Sequence, residues 1–395
     1  MKYNFDEYID RRGTDCIKYD GMAPFYDVSD LLPMWIADMD FKSPPCVIDA
    51  LRRRVEHGVY GYSLPSPQWE TAITDWLKRR HGWYVQPGEL GFVGGIVPAL
   101  AFVLEAFTNE GDAILMQPPV YHPYSFVTRD LKRTPVYNPL KLVDGQYEID
   151  FEDFERKASR SKVFFLCNPH NPGGRVWTFD ELHRMAEICA RYNVLVISDE
   201  IHCDMPLKGY HHTPFALVGP EAAQNSITFM AASKTFNVAG LKSSYHIIPN
   251  DDIRERFARF LRYRELDTAH LFATEAIAEA YNHGEEWLEQ MLEYVEGNVD
   301  YMQEYIRTHM PRLDMIRPQA SYLVFLDARG LDMTDDEIMH FFTHDARVAV
   351  TSGAVYGEGG SGFVRFNLGC PRHTLHLALE RIKQAYDNLQ LPQPQ

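Results

Sequence analysis

Short runs of apolar residues alternate along this chain with longer stretches in which apolar positions recur every three or four residues, and the two patterns predict different elements. The runs lie at 113–116, 162–166, 194–197 and 226–230. A strand apolar at nearly every position is covered on both faces, which predicts a mostly parallel sheet between helices. Helical spacing is clear at 46–57 (Val47, Ile48, Leu51, Val55) and at 68–81 (Trp69, Ile73, Trp76, Leu77). Between these two amphipathic helices lies the glycine-punctuated loop Gly58-Val59-Tyr60-Gly61-Tyr62-Ser63. A third helical run, with Val97, Leu100, Ala101, Val103 and Leu104, follows Gly94-Gly95-Ile96. Residues 255 to about 309 read as mostly helical with Pro311 as a stop. Further apolar stretches at 322–326 and 362–367 predict the strands of a smaller domain, closed by a helix from about Thr374. The first 45 residues hold few helical periods and include Pro24, Pro33, Pro44 and Pro45, so they read as an extended arm that packs on something else.

At 395 residues the chain exceeds the size at which one core keeps growing. The expected organisation is an arm at 1–45 contributing to a small domain, a large α/β domain at 46–285, and a small α+β domain at 286–395. No repeat at solenoid spacing interrupts this plan. The net charge of -16, with no long basic run, argues against a nucleic-acid partner. Arg52-Arg53-Arg54 falls in a helical pattern and reads as a solvated face. The six cysteines show no CxxC pair or metal-like spacing, which predicts reduced thiols in the cytoplasm, with no disulfide frame and no zinc site. The acidic start lacks a signal peptide's apolar core, and no stretch reaches the roughly 18 apolar residues of a membrane span.

Three segments carry the candidate chemistry. Lys234 lies in Ala232-Ser233-Lys234-Thr235-Phe236-Asn237; Asp199 ends an apolar run; Asn171 lies in Asn168-Pro169-His170-Asn171-Pro172-Gly173-Gly174, a tight loop at the end of another run. Ligands of open α/β sheets bind at that edge. A lysine that forms a Schiff base with a carbonyl cofactor needs a partly desolvated seat, and the cofactor's pyridine nitrogen needs an acid partner, for which Asp199 is the candidate. Asn171 is placed to hydrogen-bond a phenolate oxygen. Gly95 and Ile96, at a helix start, offer free N–H groups to a phosphate. Lys242 is a cationic partner for that phosphate, and Tyr121 a ring to stack on a flat cofactor. Arg365, in an otherwise apolar strand, is the candidate clamp for an amino-acid carboxylate. The order of these residues predicts a pyridoxal 5'-phosphate site. A nicotinamide cofactor is disfavoured because no G-x-G-x-x-G follows an early strand.

These stretches resemble the fold-type I pyridoxal-phosphate enzymes of the aspartate aminotransferase superfamily, over nearly the whole chain. Met34-Trp35-Ile36-Ala37-Asp38-Met39-Asp40-Phe41, Tyr60-Gly61-Tyr62-Ser63 and Ser198-Asp199-Glu200-Ile201-His202 resemble its MalY/PatB branch of cystathionine or cysteine-S-conjugate β-lyases, cystalysin included. The resemblance implies a homodimer with its active site at the subunit interface. It makes Lys234 the Schiff-base lysine, Asp199 the pyridine-nitrogen partner, Asn171 the contact to the ring's O3′ and Tyr121 the stacking ring. It also implies that Gly95, Ile96, Ser233 and Lys242 hold the phosphate, with Tyr62 reaching it from the neighbouring subunit. Arg365 would bind the substrate carboxylate, in a substrate site shared with Ala37, Asn171 and Tyr62. Many relatives carry Tyr at the position of His202 and Arg at that of Lys242, so His202 is left to tune O3′ and Lys242 makes a point-charge contact.

The implied activity is α,β-elimination of L-cystathionine, L-cysteine or an S-substituted cysteine to a thiol, pyruvate and ammonia. Two alternatives stay open at this level: an aminotransferase, which uses the same cofactor residues, and a pyridoxal-phosphate protein whose main task is binding a regulatory partner.

Overall fold

A computed structural model describes residues 2–63 and 67–389 of the chain. Its central sheet has seven strands: β1 (Leu90–Val93), β2 (Ala113–Met116), β3 (Thr134–Tyr137), β4 (Val163–Cys167), β5 (Leu195–Asp199), β6 (Ser226–Met230) and β7 (Ser244–Ile247). Their spatial order is β1-β7-β6-β5-β4-β2-β3. Strands β6, β5, β4, β2 and β3 pair in parallel, whereas β7 runs antiparallel to both β6 and β1. The apolar runs have a direct cause here. Phe164, Leu166 and Val196 pack into a cluster on one face, while Val163, Phe165, Leu195 and Ile197 pack into a second cluster on the other.

Helices cover both faces. Phe179–Arg191 begins with a reciprocal cap between Thr178 and Glu181, which satisfies two of the N–H groups left free at a helix start. Ile96–Phe107 follows β1, and Pro45–His57 and Pro67–His81 pack against Leu271–His283. The segment read as mostly helical to about 309 holds three helices, Asp251–Arg262, Leu271–His283 and Glu285–His309, the last ending two residues before Pro311. The Arg52–Arg54 triplet keeps two exposed members, while Arg54 is half-buried and lies 3.8 Å from Glu275.

A second sheet, antiparallel, holds β8 (Asp314–Ile316), β9 (Leu323–Asp327), β10 (Thr351–Ser352) and β11 (Phe363–Asn367) in the order β8-β9-β11-β10. The closing helix is Arg372–Asp387. The arm is tied to this sheet by Asn367 N, which donates to Met34 O at 2.9 Å, while Leu32–Pro33 pairs in parallel with Val348–Ala349 in a separate two-stranded sheet. One apolar cluster joins arm residues Phe5 and Met34, helix residues Trp76 and Tyr281, and sheet residues Val324 and Val364. Among the described residues, no helix is long and apolar enough to cross a membrane.

Candidate active site

Strands β4, β5 and β6 end level with one another, since Cys167 pairs with Asp199 and Asp199 with Phe229. The Asn168–Gly174 loop, Asp199 and the turn carrying Lys234 therefore emerge side by side at the carboxyl edge of the sheet. They border a cavity of about 320 Å³, within the usual size of small-molecule sites. Its walls include Ala37, Gly95, Ile96, Tyr121, Asn171, Asp199, His202, Ser233, Lys234 and Lys242. Ten of the twelve side chains singled out in the sequence thus meet in one place; Arg365 stands behind Asn171, and Tyr62 lies elsewhere on the chain.

Lys234 sits on the single helical turn Ala232–Thr235. Its Nζ donates to the carbonyl oxygen of Ala37 at 2.6 Å, which also accepts from the Tyr322 hydroxyl at 3.1 Å. Burial lowers the amine's pKa to about 8, with Asp38 and Asp199 pulling upward and Arg365 downward. A useful fraction is therefore neutral near pH 8, as a nucleophilic amine must be.

Asp199 is buried and accepts hydrogen bonds from Tyr124 Oη at 2.9 Å and from the backbone N of Ile201 at 3.2 Å. Burial pushes its carboxyl up to about 6, opposed by these two donors. Burial likewise pushes the Tyr121 phenol up to about 12 and the His202 imidazole down to about 3, so both are neutral at physiological pH. The Tyr121 ring stands edge-on to Tyr124 at 5.8 Å.

Arg365 projects from β11 and is buried. Its Nη1 donates to Asn171 Oδ1 at 3.3 Å and its Nη2 to the carbonyl oxygen of Trp35 at 3.0 Å. Both acceptors are uncharged, and Nε is buried without a partner. A guanidinium so placed is open to a carboxylate.

The phosphate end is built from backbone. Gly95, at φ 148°, caps Ile96–Phe107 without a side chain on the first-turn N–H groups. The third helical residue, Pro98, has no N–H to leave unsatisfied. A Cβ built on Gly94 would meet nothing within 4 Å, so the cavity runs up to the chain there. Lys242 is exposed and held at φ 45° beside Ser243, whose buried Oγ lacks a partner and borders the cavity. These unsatisfied donors and the softened amine fit pyridoxal 5'-phosphate: Lys234 for its carbonyl, Asp199 for its ring nitrogen, and the helix start with Ser233, Lys242 and Ser243 for its phosphate.

Sequence reasoning missed Tyr124, Cys167, Ser243 and Tyr322. Tyr124 follows Tyr121 at helical spacing and Ser243 follows Lys242 directly, but an isolated Tyr or Ser carries no signal of the partner it will meet. Tyr62 is fully exposed, so within one chain it touches none of these residues.

The family model described as aminotransferase class I and II matches residues 29–382. The chain is 42% identical to cystathionine β-lyase PatB of Bacillus subtilis over 97% of this chain and 99% of the relative, and 33% identical to MalY of Escherichia coli over 94% and 96%. The crystal structure of cystalysin from Treponema denticola, which contains pyridoxal 5'-phosphate, superposes with a TM-score of 0.95 at 32% identity, covering 99% and 100% of the two chains. With the family model matched over most of its length and these relatives matched end to end, the chain belongs to the class I and II aminotransferases, in the PatB/MalY branch of cystathionine β-lyases.

Proposed function

We propose that this protein is a pyridoxal-phosphate-dependent carbon–sulfur lyase that performs α,β-elimination on L-cystathionine, L-cysteine or another S-substituted cysteine. With one water consumed, the products are a thiol, pyruvate and ammonia. The observation that carries this reading is the desolvated Lys234 amine facing the same cavity as Asp199 and an uncapped helix start.

Pyridoxal phosphate, when bound, supplies an electrophilic carbonyl carbon and a ring that draws electrons from the substrate's Cα. The chain's residues supply the rest. Lys234 would tether the cofactor through its neutral amine, and the free amine would be placed to take the Cα proton as general base. Asp199, kept anionic with the help of Tyr124, would pair with the ring nitrogen and keep it protonated. Asn171 would donate to the ring's phenolic oxygen, with neutral His202 lining the same cavity. Tyr121 would supply a ring to stack on the cofactor. Gly95, Ile96, Ser233 and Lys242 hold the phosphate. Arg365 clamps the substrate carboxylate, with Ala37 and Asn171 beside it, and so sets which Cα bond faces Lys234. The carbon–sulfur bond then breaks with its electron pair on sulfur, and the three-carbon enamine released is hydrolysed to pyruvate and ammonia.

The working unit is a homodimer in which the exposed Tyr62 of each subunit reaches the partner's phosphate. Four of six cysteines are buried and all are unpaired, which supports a reducing, cytoplasmic setting.

The test is incubation with L-cystathionine and no keto acid. Steady release of pyruvate and homocysteine is expected; product only on addition of a keto acid would instead identify an aminotransferase. Absence of turnover by protein that has taken up the cofactor would leave only a binding role.

A further inference from the structure

Thr235, the residue after Lys234, is fully buried, and its hydroxyl donates to Asp204 Oδ2 at 2.9 Å. The other oxygen of that carboxylate accepts from Trp76 Nε1 at 2.9 Å and meets His81 Nε2 at 2.8 Å. Arg80 donates to the main-chain oxygen of Asp204 at 3.1 Å and brings its Nε to 4.0 Å from the carboxylate. Asp204 is 1% exposed. Burial opposes its ionisation, but His81, Arg80 and the indole outweigh it and hold the carboxyl below its usual range. Cys203, Tyr245 and Tyr281 face the same group. Donor atoms of His81, Cys203 and Asp204 lie within 4.8 Å of one another, but the carboxylate oxygens already carry three protein partners and a guanidinium lies alongside. The cluster is therefore a hydrogen-bond hub rather than a cation site.

The turn that the hub holds has little to hold itself. Ala232–Thr235 is one turn long and has no side-chain cap; the chain after it bonds back through Phe236 N to Ala232 O and Val238 N to Ser233 O. So short a helix does not persist on local bonds. Two outside anchors fix it. On the arm side, Asn237 bonds the backbone of Met39 and Phe41; on the sheet side stands Asp204.

We propose that Asp204 is a positioning residue for Lys234: by fixing Thr235 it sets the direction from which the neighbouring amine enters the cavity. This rests on Lys234 being the cofactor-bearing lysine. The amine faces Asp38, Asp199, Arg365 and His202. Asp204 is not among these groups and acts through the backbone. A misplacement near 1 Å at a reacting group costs up to about a hundredfold in rate, so a loosened turn registers in kcat before it registers in substrate affinity.

The test uses the holoenzyme and three variants. Thr235→Val removes the hydroxyl and nearly keeps the shape, Thr235→Ser retains the bond, and Trp76→Phe removes a different donor to the same carboxylate. Thr235→Val is expected to lower kcat about tenfold with little change in KM, and to move the pH midpoint of the cofactor's visible absorbance. Thr235→Ser restores both. Trp76→Phe lowers the thermal midpoint and leaves the absorbance midpoint in place. If Thr235→Val does not fold, Asp204→Asn is read the same way. A parental kcat and absorbance midpoint in Thr235→Val, or an equal midpoint shift in Trp76→Phe, overturns the proposal while the cofactor reading stands. A parental protein with no visible band overturns both.

Discussion

Tyr124 and Asp199, 75 residues apart in sequence, share a 2.9 Å hydrogen bond in the interior, with the phenol as donor. The bond opposes the burial that pushes the Asp199 carboxyl up to about 6. Without it, the carboxylate loses a stabilising donor and its pKa rises further. Tyr124→Phe is therefore expected to move the acid limb of the kcat/KM profile to higher pH, by up to about one unit, the equivalent of one hydrogen bond to a charged group. A pH series from about 5 to 8 measures it. An unmoved limb would mean that Asp199 does not govern it.

Asp199 also predicts a conflict between stability and function. Its folded-state pKa, about 6, lies above the unfolded value of 3.8, so the fold prefers the neutral carboxyl. The associated stability is complete below about pH 4 and lost as pH rises through about 6. In cofactor-free protein at about pH 8, Asp199→Asn should raise the thermal midpoint, by the equivalent of at most about 3 kcal/mol, while abolishing elimination. Calorimetry beside a pyruvate assay checks both halves; a lowered midpoint would contradict the burial argument.

The Lys234 amine, brought down to about 8 by burial, should set the pH dependence of cofactor loading. Only the neutral amine attacks a carbonyl, so uptake of pyridoxal phosphate by cofactor-free protein should speed up as pH rises and level off just above about 8. Stopped-flow absorbance gives the midpoint. Lys234→Ala should show no tethered chromophore and lose activity by at least about 10²–10⁴-fold.

Arg365 meets two neutral acceptors in the free site, through Nη1 and Nη2. Arg365→Lys keeps the charge and loses the planar pair of donors. The expected result is a rise in KM for L-cysteine or L-cystathionine of roughly 10–100-fold, the equivalent of about 1.5–3 kcal/mol. The absorbance of the bound cofactor should not change. Equal KM values would remove Arg365 from the substrate carboxylate.

Tyr62 is fully exposed in the single chain, so Tyr62→Ala should leave subunit stability unaltered and weaken cofactor binding only in the dimer. Complementation makes this specific to a shared site. Subunits carrying Tyr62→Ala, exchanged with subunits carrying Lys234→Ala, form hybrids with one intact site, and random pairing should regain about a quarter of parental activity. No recovery after demonstrated subunit exchange would place Tyr62 outside the partner's site.

Legibility in the sequence follows from how local each cause is. Strands β4, β5 and β6 were readable because burial on both faces leaves an uninterrupted apolar run. The missed strands carry weaker patterns: β3 is an edge strand with an exposed Thr134 and a proline, β1 contains Gly91, and β7 carries His246, which fits only because Gly91 has no side chain against its ring. The Lys234 turn, the proline-rich loop and the glycines before Ile96 were visible as segments because tight turns and uncapped helix starts constrain the residues that form them.

What the sequence determined alone was therefore most of the helices, the strands buried on both faces and the residue types that carry the chemistry, since periodicity, turn formers and charge act over a few positions. The fold decided which of them meet. Lys234 and Ala37 are 197 residues apart, and Arg365 and Asn171 are 194 apart. The Tyr124 hydroxyl finds Asp199, and Thr235 finds Asp204, only when parallel strands end level and the arm is bonded to the second sheet. Burial, which moves the pKa values of Lys234, Asp199, Tyr121 and His202, is likewise a property of the packed chain, because it depends on what surrounds a group in space rather than on what precedes it in sequence.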